Sequence, residues 1–443
     1  MTYFKNGLAI STALTLSMGA AYADPNTLFI EQDGSGNSAF IEQDIVGFSG
    51  DDAGGNDFGT ASAPALQQGD NNHMNFWNGT KNHHSNVSAG NNDVLEAIQI
   101  GDTNKMHISN TSYGSSSDTA SSNNTIHSAK QIGDRNELDL ARQDADGGQV
   151  EVALQEGDDN KMRVFQRHGN GNSVGTVSQI GSNNGHDWHG NNDIGTYIEQ
   201  GYGDNNRIDV ASVVGDNNGG LSNRVGIYIV QNGNNNGDLS STAEIFGNAN
   251  QIEVIQTGDN NNFLVRQGTG LVAGHNNIAT LHQTNNNNDG TILQEGHQNS
   301  ATAAQDGNGN YMYASQIGND NLLMASFVGD GNGVGSFTPK LSGSIHPNNA
   351  HSLASSTTLL TQGNMLQDSS GVLSGTNSIT YSVIGNNNLF AFAQVGGANT
   401  IDGTVGMSGA ASHANEVAVL QVGNSNTTSF SQNGGSNNLA VSQ

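Results

Sequence analysis

Residues 294–321 read QEGHQNSATAAQDGNGNYMYASQIGNDN. Gln294, Gln305 and Gln316 fall eleven residues apart, and each opens the same pattern, Gln-x-Gly-x-x-Asn. Between one Asn and the next Gln the chain alternates, as in Asn299-x-Ala301-x-Ala303-x-Gln305. Period-two alternation marks a strand with two unlike faces. The Gly marks a sharp reversal, because Gly takes positive φ cheaply. Asn and Asp around it tolerate that region and bond their own backbone. Each unit therefore predicts one strand of about six residues and one tight turn.

The pattern recurs along the chain. Strict copies open at Gln32, Gln67, Gln99, Gln131, Gln155, Gln179, Gln231, Gln256, Gln294, Gln305, Gln316, Gln394, Gln421 and Gln432. Looser copies keep Gly-x-x-Asn at Gly203, Gly215, Gly247, Gly274, Gly329 and Gly385. The candidate ladder and turn residues follow from it: Gln32, Gly34, Asn37 and Gln43; Gln155, Gly157, Asn160 and Gln166; Gln256, Gly258, Asn261 and Gln267. Further along they are Gln294, Gly296, Asn299, Gln305, Gly307, Asn310 and Gln316, then Gln421, Gly423, Asn426, Gln432, Gly434, Asn437 and Gln443.

Asn160, Met162, Val164 and Gln166 share one face of a strand, and Lys161, Arg163 and Phe165 take the other. In the strand after Asn136 the second set is Glu137, Asp139 and Ala141. Charge places this second set toward water. Two apolar residues per strand bury little alone. Strands stacked about 4.8 Å apart bury more, because each residue sits on its counterpart. A stacked amide can both donate and accept, so Asn and Gln in register bond the copies above and below. That meets the cost of burying them.

The composition demands such a device. Of 443 residues only 33% are hydrophobic and 12% charged, while Gly contributes 60. This is too little apolar material for ordinary layered domains. A net charge of −27 speaks against nucleic acid as a partner. With 4 Pro, ladder donors survive along most of the chain. The absence of Cys excludes disulfides, thiolate catalysis and Cys-held zinc. The predicted fold is an all-β solenoid of stacked strand-turn-strand rungs with two strands per rung. Roughly thirty strands would give about fifteen rungs and a stack about 70 Å long.

Long connections near residues 44–60, 79–91 and 111–123 alternate with tight turns, which predicts that they lie on one edge of the coil. Further insertions are read near 185–191, 335–352 and 403–413, and neither end of the stack shows a capping helix. Residues 1–23 read as a secretory signal peptide: a short basic start, an apolar run from Gly7 to Met18, and Ala21-Tyr22-Ala23 before Asp24. The mature chain, 24–443, contains no apolar run of membrane-spanning length.

The unit from Gln32 to Gln43, Gln-x-Gly-x-x-Asn-x-Ala-x-Ile-x-Gln, resembles the curlin repeat. The resemblance covers nearly the whole mature chain. It implies a subunit of curli-type extracellular amyloid fibres in biofilms, exported unfolded through an outer-membrane pore and assembled with a nucleator. Its main partner would be itself, stacked head to tail, with no cofactor and no enzymatic role. The chain departs from the family in its length, its insertions and the irregular stretch from Gln179 to Gln200. It also lacks a Gly-rich segment before Thr27. These departures leave major subunit, nucleator and adhesin open.

A monomeric secreted adhesin or surface-binding solenoid is the alternative, with calcium at acidic turns such as Gly101-Asp102 and Gly157-Asp158-Asp159. A polysaccharide-processing enzyme ranks last, since no paired-carboxylate site is evident. Gly171-Asn172-Ser173-Val174-Gly175 mimics a nucleophile elbow but falls in the repeat phase with no helix after it. His83-His84 and His186 with His189 lie in insertions and read as solvated. Trp77, Tyr311 and Tyr313 read equally as outward contact points or cross-strand packing.

Overall fold

A computed structural model describes residues 27–43, 57–62, 64–80, 93–112, 123–143, 147–185, 195–218, 226–269, 273–337, 350–371, 376–406 and 412–443. The chain alternates between two sheets. Gln149–Glu156 lies in the first, Lys161–Arg167 in the second and Ser173–Ile180 in the first again, directly on Gln149–Glu156. All pairings between the described strands are parallel and in register, so Gln155 sits on Gln179 and Met162 on Thr196. The result is a β-solenoid with two strands per rung.

The first sheet has 18 strands and the second 15. Three levels of the first sheet are each split in two, Thr27–Leu28 with Ile30–Asp33, Asp57–Phe58 with Ala65–Gln68, and Asp93–Val94 with Ala97–Ile100. Its 18 strands therefore make fifteen levels. Ser412–His413 stands off the path of the second sheet, which leaves that sheet fourteen.

Strict alternation holds for the second sheet and for the later levels of the first. It fails in the early levels of the first sheet. Thr125–Ile132 buries Ile126, Ala129 and Gln131, and Ser173–Ile180 buries Val174, Val177 and Gln179. The first interval is three, not two. In these units Asn and Gln stand seven positions apart (Asn124 to Gln131, Asn172 to Gln179), and in the regular ones six. The extra residue is absorbed as a bulge. Ser128, Val152, Thr176 and Val210 stack in register beside it. Gly175 belongs there because a Cβ would lie 2.5 Å from the Asp209 carbonyl oxygen.

The connections after Ser38–Gln43, His73–Thr80 and Lys105–Ser112 all run from the second sheet to the first, as do those after Leu322–Val328 and Thr400–Val405. The order Ser173–Ile180 to Thr196–Gly201 runs the other way, from the first sheet to the second. Several ranges read as loops contain regular structure. Asp57–Phe58, Thr400–Val405 and Ser412–His413 are strands, and a helix, Ala350–Ser355, opens inside the 335–352 range. That helix packs on the outer face of the last two strands of the first sheet, Glu416–Val422 and Asn438–Ser442. A small second core forms beneath it from Phe337, Ala350 and Leu360 on Ala391, Ala393 and Ala418. The 335–352 range, read as a loop insertion, thus gives way to a helix beside the late end of the stack. The helix is too short and too polar to give a periodic signal of its own, and the alanines that receive it match ordinary alternation.

The outer face is also less wet than charge suggested. Asp139 and Phe165 are buried in it. Arg163 bonds Asp139 at 2.9 Å, and the Arg163 and Arg167 guanidinium groups lie 4.7 and 4.5 Å from the Phe165 ring centre. Tyr311 and Tyr313 are half-buried. The side chain of Trp77, the four histidines at 83, 84, 186 and 189, and residues 1–23 lie outside the described residues.

Between the sheets runs one continuous apolar core. Toward its late end the core turns aromatic, with Phe327, Tyr381, Phe390, Phe392 and Phe430 in mutual contact. Gly403 lies between Tyr381 and Phe430 in register, and a Cβ there would be 2.1 Å from the Phe430 ring. Tyr381 is fully enclosed and its hydroxyl has no hydrogen-bond partner among the described residues. Tyr381→Phe should therefore stabilise the chain by about 1 kcal/mol by removing an unsatisfied buried group. Gly403→Ala should destabilise it by about 1–3 kcal/mol through overpacking. Chemical denaturation of both variants checks this, and a destabilised Tyr381→Phe would show that the hydroxyl has a partner.

Candidate functional site

The repeated polar residues form columns that run the length of the stack. In the first sheet, Gln32 donates through Nε2 to Gln67 Oε1. Gln67, Gln99, Gln131 and Gln155 each donate in the same way to the Gln of the following rung, at 2.8–2.9 Å. The same Nε2 groups reach across the core to a carbonyl of the opposite sheet, as Gln131 does to Lys105 at 2.9 Å. The ladder stops at Gln179, whose next two counterparts are Val213 and Ile245. It resumes at Gln267 and runs through Gln294, Gln316, Gln367, Gln394 and Gln421 to Gln443. Gln267 Oε1 sits over Ile245, which has no proton to give, and finds no donor among the described residues.

The second sheet carries its own ladder from Gln166 through Gln200, Gln231, Gln256 and Gln283 to Gln305. Beyond Gln305 the column continues as Phe327, Val383, Val405 and Gln432. Phe327 belongs to the aromatic cluster, so ring packing replaces the amide there. Gln432 returns above Val405, and its Oε1 is unsatisfied for the same reason as that of Gln267. Gln43 lies in its strand, but its side chain is not described.

Asn residues hold both corners. Asn160 N–H donates to Asn136 Oδ1 at 3.1 Å, and Asn160 Nδ2 donates to the Gly181 carbonyl of the next rung at 2.7 Å. Asn37, Asn72, Asn104, Asn136 and Asn299 do the same with Nδ2 toward Gly69, Gly101, Gly133, Gly157 and Gly318. On the other corner Asn261, Asn288, Asn310 and Asn332 repeat the N–H to Oδ1 bond. The glycine is required twice over. Gly157 has φ 108°, and a Cβ on it would lie 2.1 Å from the Gly181 carbonyl oxygen. Gly307, at φ 140°, would clash with Gly329 at 2.0 Å.

Two further columns escaped the sequence reading. The residue after the turn Gly accepts a backbone N–H from the previous rung: Asp70 N–H goes to Asp102 Oδ1, Asp102 to Asp134 and Asp134 to Asp158. These are the acidic turns read as a calcium option, and here their carboxylates serve as turn acceptors. The Asp70 carboxyl is held below its ordinary value, chiefly by the Ser35 N–H it accepts. The residue before the Asn takes positive φ, as at Asn71, Arg135, Asp159, Ala249 and Ala398. Gly36, Gly171 and Gly309 at the same place in other repeats were the available signal.

At the two extremes the same groups are half-exposed. Leu28, Ile30, Ala39 and Ile41 at the first rung, and Leu439 and Val441 at the last, pack on the core but are only partly covered. In the last rungs Asn426 Nδ2 and Asn437 Nδ2 turn back to their own turns, at Val422 and Asn433. Most interior Asn side chains instead reach the next rung, as Asn136 and Asn160 do. Ser173 of the elbow-like motif simply begins a strand, with its N–H on Asn206.

Residues 286–318 match the family model of the curlin associated repeat. No curated protein and no solved structure matches the chain. The matched stretch holds the strands Asp289–Glu295, Ser300–Asp306 and Tyr311–Ile317, where the spacing is regular and the ladders of both sheets run together. The resemblance to the curlin family is supported at that repeat. Among the described residues no helix is long and apolar enough to cross a membrane.

Two substitutions separate the columns. Gln155→Ala leaves Gln131 without its acceptor and Gln179 without its donor, and should cost about 1–3 kcal/mol. Ala249→Gly relieves a non-Gly residue at φ 57° and should stabilise by about 1 kcal/mol. Denaturation midpoints of the two variants test the assignment.

Proposed function

We propose that this curlin-repeat chain is a structural subunit of an extracellular, curli-type fibre, built by stacking the first rung of one copy on the last rung of another. The observation that carries this reading is the polarity of the ladders. Within each ladder a Gln donates to the Gln of the next rung, Asn Nδ2 donates to the next Gly carbonyl, and Asn Oδ1 receives the next N–H. The last rung thus offers Gln443 Nε2 and Asn426 Nδ2. The first offers Gln32 Oε1 and the Gly34 carbonyl, which no donor among the described residues reaches. The two ends are complementary and unlike, so repeated contact gives a filament and not a closed pair. Edges with unmet backbone groups recruit strands.

Charge favours the same order. The strands Thr427–Gln432 and Asn438–Ser442 carry no charged residue, whereas the first rung carries Glu31, Asp33 and Glu42. First rung on last rung avoids setting acids against acids. The stretch 1–23 supports export, and the curlin resemblance supports a secretion pore and a nucleator as partners. A structural role accords with the repeat and the fold. The monomeric adhesin remains the competing reading, and the ladder polarity weighs against it.

Purified chain 24–443 should form fibres with the 4.7–4.8 Å meridional reflection of stacked strands. A persistent monomer at high concentration would overturn the proposal. With net charge −27, added salt should shorten the assembly lag by screening, and mild acid should do so by neutralising carboxylates. Asp70 and Glu253 are held below the ordinary carboxyl range, by Ser35 and His282 respectively, so their contacts persist above their lowered pKa values and fail only in stronger acid. Lag times across pH and ionic strength check this, and a lag that lengthens with both would contradict it.

A further inference from the structure

We propose that the helix Ala350–Ser355 and the last strand beneath it form a receiving surface for Phe29 of a second copy. This deepens the stacking reading and rests on it. Phe29 is an exposed aromatic residue, at 39%, on the outer side of the first rung. Its neighbours Leu28 and Ile30 point into the core. The last strand has the same regular spacing: Leu439, Val441 and Gln443 match Leu28, Ile30 and Gln32. A first rung laid on the last in that register puts Phe29 directly over Ala440.

Ala440 closes an outer column of small residues, Ala391, Ala418 and Ala440, paired rung to rung. Ala391 and Ala418 belong to the second core under the helix, with Leu353 and Ala354 of the helix packed against it. The helix sits at the very end of the stack. It touches Glu416–Val422 and Asn438–Ser442, and Ala350 N–H donates to Asn438 Oδ1 at 2.7 Å. Asn438 Nδ2 in turn donates to Glu416. A helix is about 10 Å across, and rungs are about 4.8 Å apart. A helix centred on the last two strands therefore reaches past the last rung and stops about 2 Å short of the plane of the next, within van der Waals contact of a ring lying there. An incoming Phe29 would meet the alanine column below and the leading edge of the helix. No charged side chain lies on the last strand to oppose an aromatic ring.

The occupant is a second copy of this chain, because the register that satisfies the ladders is the one that places Phe29 there. The insertion then acts as a guide that reads the outer face of the arriving subunit while the amide ladders read its interior.

Elongation from preformed wild-type seeds tests the proposal. Phe29→Ser monomer should add about tenfold more slowly than wild type, the effect of losing roughly half the burial of one aromatic side chain. Phe29→Leu should add nearly normally, and Glu31→Gln, on the neighbouring outward position, should not slow addition. Ala440→Glu, which spoils the opposite side of the contact, should slow addition to a similar degree. Circular dichroism and hydrogen exchange of each monomer confirm that its rungs are intact. Wild-type rates for both Phe29→Ser and Ala440→Glu would overturn the proposal. Wild-type monomer that fails to extend wild-type seeds would instead overturn the stacking reading, and this proposal with it.

Discussion

The structure depends on one interaction, the hydrogen bond from a buried side-chain amide to its counterpart on the next rung. A chain with 33% hydrophobic residues cannot cover two sheets with apolar side chains alone. It places buried Gln or Asn near the ends of most strands, where each ladder Gln donates forward and accepts from behind, and each corner Asn donates to the rung ahead and accepts its N–H. An amide buried alone would cost about 1–3 kcal/mol. In a column the cost falls only at the ends. The same logic fixes register, because a strand slipped by one residue would turn the amides outward and the charges inward.

The interruptions show how strictly this holds. Where Val213 and Ile245 replace Gln, Gln179 finds Thr196 Oγ1 instead, and Gln267 Oε1 is left bare. Where Phe327 replaces Gln, an aromatic cluster takes over the core, with Gly403 making room between Tyr381 and Phe430. Amide ladders and ring packing are alternative ways of filling the same column. The unsatisfied oxygens mark where one gives way to the other.

Much of this was legible in the sequence because one period repeats and each position has one role. Gln155, Gly157, Asn160 and Gln166 announce strand, turn and face through spacing alone, and the close contact of Gly157 with Gly181 follows from stacking the turns. The bulge in the early first sheet was missed because one extra residue between Asn124 and Gln131 looks like noise in a motif search. Ala249 at positive φ was missed because side-chain identity does not enforce it; the neighbouring rungs do. The helix Ala350–Ser355 was hidden because its partners, Ala391, Ala393 and Ala418, read as ordinary outward positions. Burial of Asp139 and Phe165 was missed because it depends on which outward residues meet across rungs. No single strand carries that information.

The directional columns also make the stack indifferent to where one chain stops, which is why a structural subunit is the reading that fits best. The claim beneath that reading is the amide column itself. Side-chain amide hydrogen exchange of the folded chain, followed residue by residue by NMR, measures it directly. Gln99, Gln131 and Gln155 should exchange orders of magnitude more slowly than Gln443 at the half-exposed end. Exchange of the interior Gln amides at the rate of free glutamine would contradict the account.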